Sequence, residues 1–152
     1  MRLYQIHRMY YLAYVRAQDT VDEILNEHEV LIQRVQPKSP LAEHEREHLP
    51  SNPPAGGTQI NKAEEYAIQM EQKNIRERLK YAREVLDDRL VLLKQKEEEL
   101  RRSKDIYNVI YTLKWVDGMK VESIVDITGY SRSQVYNIIR QLTRQLERGS
   151  NG

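Results

Sequence analysis

Apolar or bulky side chains recur along residues 1–35 in steps that alternate between four and three. The positions are Leu3, His7, Tyr10, Tyr14, Ala17, Val21, Ile24, His28, Leu31 and Val35. A repeat of about 3.5 residues is typical of the seam along which helices pack in a coiled coil. The pattern predicts one long amphipathic helix that needs a partner, because such a helix is not stable alone.

A second amphipathic pattern runs from Lys62 to Arg102, with charged side chains on its other faces. Its apolar positions are Ala67, Met70, Ile75, Leu79, Ala82, Leu86, Leu90, Leu93 and Leu100. Arg89 and Lys96 interrupt this seam, so a perfect two-stranded zipper is not expected. The two patterns together predict either an antiparallel hairpin within one chain or an oligomer built from several chains.

The patterns become shorter after residue 102. A helix over Ile106–Trp115 is predicted to stop before Gly118, and a short helix over Val121–Ile127 is predicted to stop at Gly129. Aromatic side chains at four-residue spacing on the first of these helices are predicted to be core residues, namely Tyr107, Tyr111 and Trp115. A last amphipathic helix follows the second glycine.

Proline marks the boundary between the two long helices. All five prolines lie between residues 37 and 54, which predicts a linker. The predicted organisation is an N-terminal helix over 1–35, a linker over 36–60, a long charged helix over 61–102, a three-helix module over 103–148 and a disordered tail over 149–152. The predicted fold class is all-α, with long coiled-coil-like helices before a C-terminal trihelical helix-turn-helix module. We expect the fragment 103–152 to fold by itself.

Composition excludes several kinds of protein. The chain has no cysteine, which excludes disulfides, thiol catalysis and cysteine-ligated metal centres. No apolar run approaches the roughly 18 residues of a membrane span, and the first residues do not resemble a signal peptide. We therefore expect a cytoplasmic protein with no membrane partner. The net charge of +1 is uninformative, but between residues 131 and 148 four arginines accompany a single acid.

The last two predicted helices have the chemistry of a helix-turn-helix that reads a DNA major groove. Ser131 and Gln134 have the spacing of a capping box at the start of the second helix. The candidate DNA-contacting residues are Ser131, Arg132, Ser133, Gln134, Tyr136, Asn137, Arg140 and Arg144. Arginine suits guanine, glutamine and asparagine suit adenine, and a later arginine such as Arg144 more often contacts the DNA backbone.

The segment Val121–Ile138, VESIVDITGYSRSQVYNI, resembles region four of bacterial sigma factors. In that family a recognition helix with the pattern Ser/Thr-Arg-x-x-Val/Ile-x-Gln/Asn-Ile reads the −35 promoter element. Arg132, Gln134 and Asn137 fall on family positions that face DNA, whereas Ser133 replaces an acidic residue common there. That replacement bears on the −35 sequence preference and not on DNA binding.

A long charged helix followed by such a module is similar to the ArpU/RinA-like activators of phage and prophage late genes. The similarity covers roughly residues 61–147. It implies a sequence-specific activator in the cytoplasm and nucleoid of a bacterial host, with double-stranded DNA as its partner. The helices before the module would form a homo-oligomer or contact the host RNA polymerase.

Two other functions stay open. A small-terminase-like subunit that recognises packaging DNA also joins a helix-turn-helix to oligomerising helices, although it usually places the DNA module first. A coiled-coil adaptor would bind protein through its trihelical end. No glycine-rich phosphate loop or nucleophile motif is present, so we expect no enzyme activity and no cofactor.

A zinc-protease pattern, H-E-x-x-H, occurs at residues 44–48. That pattern normally places two histidines on one face of a buried helix, with the glutamate as base. Here the middle positions are charged and Pro50 follows at once. We therefore expect no metal site. His7 and His28, on the N-terminal seam, are predicted to be interface residues and not ligands.

Overall fold

The computed structural model describes residues 1–35 and 62–150, and every regular element within these two stretches is helical. The α-helices there are α1 (Leu3–Val35), α2 (Lys62–Arg102), α3 (Ile106–Tyr111), α4 (Val121–Thr128) and α5 (Arg132–Ser150). A π-helical turn over Thr112–Val116 continues α3 directly. The prediction of an all-α fold is confirmed.

The helix bounds follow the sequence patterns closely, and α2 begins and ends at the residues where its amphipathic pattern does. One difference is that α5 continues through Gly149 and Ser150, which the sequence pattern assigned to a disordered tail. No proline or capping residue ends the helix earlier, and a glycine in the last turn lowers helix propensity without preventing it. The predicted linker 36–60, its histidine pattern at 44–48 and residues 151–152 lie outside the described residues.

The chain divides into two compact units. Unit 1 comprises Met1–Ala17 and Leu86–Gly152, and unit 2 comprises Gln18–Val85. Each long helix therefore contributes one part to unit 1 and the other part to unit 2. The boundary that the sequence predicted at residue 103 falls inside unit 1.

The core of unit 1 takes side chains from all of its helices. Its fully buried members are Tyr4, Leu100, Ile110, Tyr111, Ile124, Val135 and Leu142. Tyr4 comes from α1 and Leu100 from α2, so the fragment 103–152 would lose two of these side chains. Removal of one large buried side chain commonly costs about 2–5 kcal/mol. The structure therefore gives no support to the expectation that this fragment folds by itself.

A buried histidine connects three helices in unit 1. His7 Nδ1 lies 2.7 Å from the Tyr111 hydroxyl on α3, and His7 Nε2 lies 3.3 Å from Glu97 Oε1 on α2. A carboxylate only accepts hydrogen bonds, so His7 Nε2 donates to Glu97 and the neutral ring accepts the Tyr111 proton at Nδ1. Burial lowers the pKa of His7, and the Glu97 carboxylate offsets part of that effect. The prediction that His7 is an interface residue is confirmed.

Aromatic stacking completes this part of the core. The Tyr111 ring stacks on the Trp115 ring at a centroid distance of 5.5 Å and packs against Tyr4 at 5.8 Å. Tyr107 is half-buried, and its hydroxyl donates to Gln141 Oε1 of α5 at 2.8 Å. The predicted aromatic face, which runs along α3 and the π-helical turn, thus packs inward. Burial also raises the pKa of the Tyr111 hydroxyl, which stays protonated and able to donate to His7.

The two polar residues that interrupt the α2 seam have partners on α1. Arg89 Nη1 donates to the backbone oxygen of Ala13 at 2.8 Å, and the Lys96 ammonium lies 6.0 Å from the Tyr10 ring centroid. Since later residues of α2 meet earlier residues of α1, the two segments run antiparallel in unit 1. The long stems of arginine and lysine cover apolar surface, while the charged ends reach a backbone oxygen in one case and the face of an aromatic ring in the other.

Unit 2 has a simpler interior in the residues that the structure describes. Its buried side chains form one seam: Val21, Ile24 and Leu31 on α1, and Ile75 and Ala82 on α2. An exposed ion pair joins the two helices, with Arg78 Nη1 and Glu27 Oε2 2.7 Å apart. The predicted seam positions Ala67 and Met70 are exposed instead, because they lie toward the start of α2 where less of α1 is available to cover them.

Candidate nucleic-acid interface

The turn between α4 and α5 is built by short-range hydrogen bonds and one glycine. Gly129 ends α4 with φ +75°, a left-handed conformation that side-chain-bearing residues rarely adopt, and its N–H donates to the Val125 carbonyl. The Thr128 hydroxyl donates to Ile124 O at 2.7 Å and accepts from Tyr130 N at 3.3 Å. These contacts confirm the predicted glycine turn and set the direction in which α5 begins.

The first turn of α5 is a complete capping box. Gln134 N donates to Ser131 Oγ at 3.2 Å, and Ser131 N donates to Gln134 Oε1 at 3.1 Å. The two bonds satisfy backbone N–H groups that would otherwise have no partner at the helix start. The bond from Ser131 N uses one of the two lone pairs of the Gln134 amide oxygen and fixes the direction of the amide. A glutamine held in the box is therefore less free to turn both amide atoms toward an adenine.

The inner face of α5 fixes the helix against the rest of unit 1. Val135 and Leu142 are fully buried beside Ile124 of α4. Ile138, Ile139 and Leu146 pack against the same cluster. Since residues at these spacings share one face of a helix, the opposite face must point away from the core.

Four of the predicted DNA-contacting residues lie on that outward face. Ser133, Asn137, Arg140 and Arg144 are separated by four, three and four positions, and all are exposed. Ser131 and Gln134 are also exposed but are engaged in the capping box, and Tyr136, on the flank, is 44% exposed. The structure therefore brings together a stripe of hydrogen-bond donors and positive charges along α5.

Arg132 has a partner that the sequence analysis did not identify. Its Nη2 lies 2.6 Å from Glu122 Oε1 in the first turn of α4. Both side chains are exposed, at 61% for Arg132 and 74% for Glu122. An acidic residue ten positions earlier was the only signal in the sequence, and the pairing depends on how the turn folds α4 back toward the start of α5.

A second ion pair holds the segment that precedes α4. Arg101 of α2 donates to Asp117 through both terminal nitrogens, with Nη2–Oδ1 at 2.8 Å and Nη1–Oδ2 at 3.2 Å. The Asp117 carboxylate raises the pKa of Arg101, so the pair stays charged. Gly118 follows with φ +67° and reverses the chain before α4. The pair thus ties the segment before α4 to α2.

Two other features, a metal centre and a membrane-spanning helix, are not found among the described residues. Within residues 1–35 and 62–150, no group of three or more histidine, aspartate or glutamate side chains is arranged to hold a metal ion. In the same residues, no helix is both long enough and apolar enough to cross a membrane. Comparison of the chain with protein-family models, curated proteins and solved structures finds no match.

Proposed function

We propose that this chain is a sequence-specific DNA-binding regulator of transcription, with α5 as the helix that enters the major groove. The outward face of α5 carries the proposal. It presents an asparagine and two arginines at helical spacing, on a helix whose opposite face is buried. Amide and guanidinium groups match the base edges and phosphates of a major groove.

The roles of the two ends of α5 differ in this proposal. Arg132 and Asn137 lie in the first two turns and would read bases, whereas Arg144 lies about two turns after Asn137 and would contact phosphate. The activated genes would be late genes of a phage or prophage, as the resemblance to ArpU/RinA-like activators implies. The host RNA polymerase would then be a second partner.

Self-association is a separate part of the proposal. The seam of α1 already has a partner in α2 of the same chain, so the seam alone does not require a second copy. A single helix-turn-helix, however, contacts few base pairs, and selectivity in a genome usually comes from repeated half-sites. We therefore expect an oligomer on DNA, with half-sites about 10 bp or a multiple of that apart.

Selection from a random duplex library with the full chain tests DNA binding directly. Enriched sequences containing a repeated half-site, and a footprint that covers it, would support the proposal. Enrichment of promoter fragments from host and phage DNA would favour a regulator, whereas enrichment of one packaging region would favour a small-terminase-like subunit. Absence of any enrichment would exclude both.

Two variants separate base reading from phosphate contact. Arg132→Ala should lose about 1–3 kcal/mol on the enriched duplex and much less on the unselected library. Arg144→Ala should weaken binding to both DNAs similarly and flatten the salt dependence. Equal losses on both DNAs for Arg132→Ala would show that this arginine contacts phosphate instead.

A protein-binding adaptor is the second candidate, and exposed apolar side chains near the turn favour it. Ile127 is 59% exposed and Tyr130 is 39% exposed, on the α4 side of the turn. Large exposed apolar side chains that lie close together are common at protein interfaces. If the full chain enriches no DNA, and Ile127→Ser abolishes its capture of a bacterial protein partner, the adaptor becomes the better account.

A further inference from the structure

The contact between Glu122 and Arg132 joins the two helices of the proposed DNA-binding element at its exposed surface. Arg132 is the first residue of α5, and Glu122 lies in the first turn of α4. Glu122 Oε1 meets Arg132 at Nη2. Guanidinium has five N–H donors, so a contact at one terminal nitrogen leaves donors that are still able to bond a base.

The pair contributes little to folding. Both side chains are largely exposed, and an exposed ion pair of this kind is screened by water and salt. The helices it joins are already held by Ile124, Val135 and Leu142 in the core. The location of the pair at the start of α5 therefore points to a role in DNA contact more than to a role in stability.

An unpaired arginine at this position would be attracted to any DNA. The phosphate backbone of DNA attracts each free positive charge regardless of base sequence. The Glu122 carboxylate offsets part of the charge of Arg132 and repels phosphate, while the remaining guanidinium donors keep their direction. A base edge with two acceptors can use those donors, whereas a phosphate gains less from an arginine that already has an acidic partner.

From this geometry we infer that Glu122 is a positioning residue that makes Arg132 select a base edge over the DNA backbone. The inference rests on the proposed function, because it assigns Glu122 a role only when α5 contacts DNA. Glu122 then raises the ratio of specific to non-specific binding. It does so by lowering the non-specific affinity more than the specific affinity.

Asp126 provides a matched control for this role. It is an exposed carboxylate one turn along α4 from Glu122, on the same helix, and no contact with Arg132 is present. Glu122→Gln and Asp126→Asn each remove one negative charge from α4 and keep nearly the same shape. A general electrostatic effect of the α4 surface would appear in both variants.

The experiment uses the full chain and two probes, namely the duplex enriched by selection on the wild-type protein and the unselected random library. Glu122→Gln should bind the library about three- to fivefold more tightly and lose a similar factor of discrimination between the two probes. The slope of log affinity against log salt on the library should become steeper by about one, as expected for one additional phosphate contact. Asp126→Asn should leave both the discrimination and the slope close to wild type.

A double-mutant cycle links the effect to Arg132. In the Arg132→Ala background, Glu122→Gln should no longer change discrimination, because the side chain that it orients is gone. Unfolding midpoints of all variants should lie close together, which separates the role in recognition from one in stability. Glu122→Asp, one methylene shorter, should recover part of the discrimination.

The results distinguish failure of this inference from failure of the proposed function. Equal changes for Glu122→Gln and Asp126→Asn, or an undiminished effect of Glu122→Gln without Arg132, would overturn the inference and leave DNA binding intact. No binding of wild type to either probe would overturn the proposed function, and the role of Glu122 with it.

Discussion

Units 1 and 2 are built from the same two long helices but have different interiors. In unit 1, α1 and α2 pack together with three shorter helices, and seven side chains are almost completely buried. In the described part of unit 2, the same helices have only each other, and the buried seam contains an alanine and no aromatic side chain. A two-helix seam covers one stripe per helix, whereas additional helices enclose large side chains from several directions. The difference indicates that the stability of the fold is concentrated in unit 1.

The largest expected effect is the loss of unfolding free energy in two leucine-to-alanine variants, one in each unit. Leu142 in unit 1 is 0% exposed and Leu31 in unit 2 is 2% exposed. Leu142→Ala should cost about 4 kcal/mol and Leu31→Ala about 2 kcal/mol, because a two-helix seam collapses around a small cavity more easily than a multi-helix core. Denaturant unfolding followed by far-ultraviolet circular dichroism gives both values. Equal losses of unfolding free energy in the two variants would contradict the conclusion that stability is concentrated in unit 1.

The single tryptophan shows which unit each substitution affects. Trp115 lies in unit 1 and stacks on Tyr111, so its fluorescence follows unit 1 alone. If the units unfold separately, Leu31→Ala should shift the circular dichroism transition and leave the fluorescence transition in place. Coincident shifts by both probes would show that the units unfold as one.

The second expected effect is a pH dependence of the stability of unit 1 that comes from His7. The folded-state pKa of His7 is lowered, so the unfolded chain binds a proton more readily in the range below the ordinary histidine pKa of about 6.5. Above that range both states are neutral and His7 adds no pH dependence. As the pH falls below it, His7 should remove stability at up to about 1.4 kcal/mol per pH unit until the folded-state pKa is reached.

Groups on three helices affect the charge of His7, so the measurement needs a control variant. Glu97 on α2 favours the protonated ring, whereas Arg8 on α1 opposes it, and the Tyr111 hydroxyl on α3 bonds the neutral ring. His7→Gln should lower stability at neutral pH and flatten the acid limb of the fluorescence unfolding midpoint. His28→Gln, in unit 2, should leave that limb unchanged. An acid limb that persists without His7 would assign the pH dependence to other groups.

A smaller effect is expected at the capping box of α5. Ser131→Ala removes the acceptor for Gln134 N and should cost about 1 kcal/mol in the fluorescence transition. Ser133→Ala is the matched control, since this serine is exposed two positions later and takes no part in the box. A similar loss in both variants would contradict a specific capping role for Ser131.

The smallest expected effect is loss of the ion pair in unit 2. Arg78 lowers the pKa of Glu27, but both side chains are nearly half exposed to solvent, so Arg78→Ala should move the circular dichroism midpoint little. Arg76→Ala, an exposed neighbour on α2, provides the comparison, and any difference between the two variants should vanish at high salt. A shift as large as that of Leu31→Ala would mean that unit 2 depends on charge more than on its seam.

Local features of the fold were predictable from sequence because they depend on neighbouring residues. The capping box at Ser131, the left-handed glycine at 129 and the bounds of α2 each follow from the residues within a turn or two. Most seam positions of α1 were also predicted from the heptad repeat, and His7 is buried there as expected.

Features that depend on distant residues were not predictable in the same way. Tyr4 is completely buried, although the heptad pattern selected its neighbour Leu3, because Tyr4 packs against Tyr111 of α3. The Glu122–Arg132 pair depends on the angle at which the turn sets two helices, and periodicity carries no information on that angle. The division into two units arises because residues from both ends of the chain meet in one core.

The burial of Tyr4 beside Leu100 and Ile110 also has a consequence for the order of events during synthesis. At roughly 5–20 residues per second, a ribosome needs on the order of ten seconds to proceed from Tyr4 to Leu142. During that interval the part of α1 that belongs to unit 1, up to Ala17, has no finished core to join, and its apolar side chains are accessible to other nascent chains and to chaperones. The residues of unit 2 are contiguous in sequence, so all of them are synthesised before the last residues of unit 1. The two units are therefore expected to mature in the reverse of their order of stability.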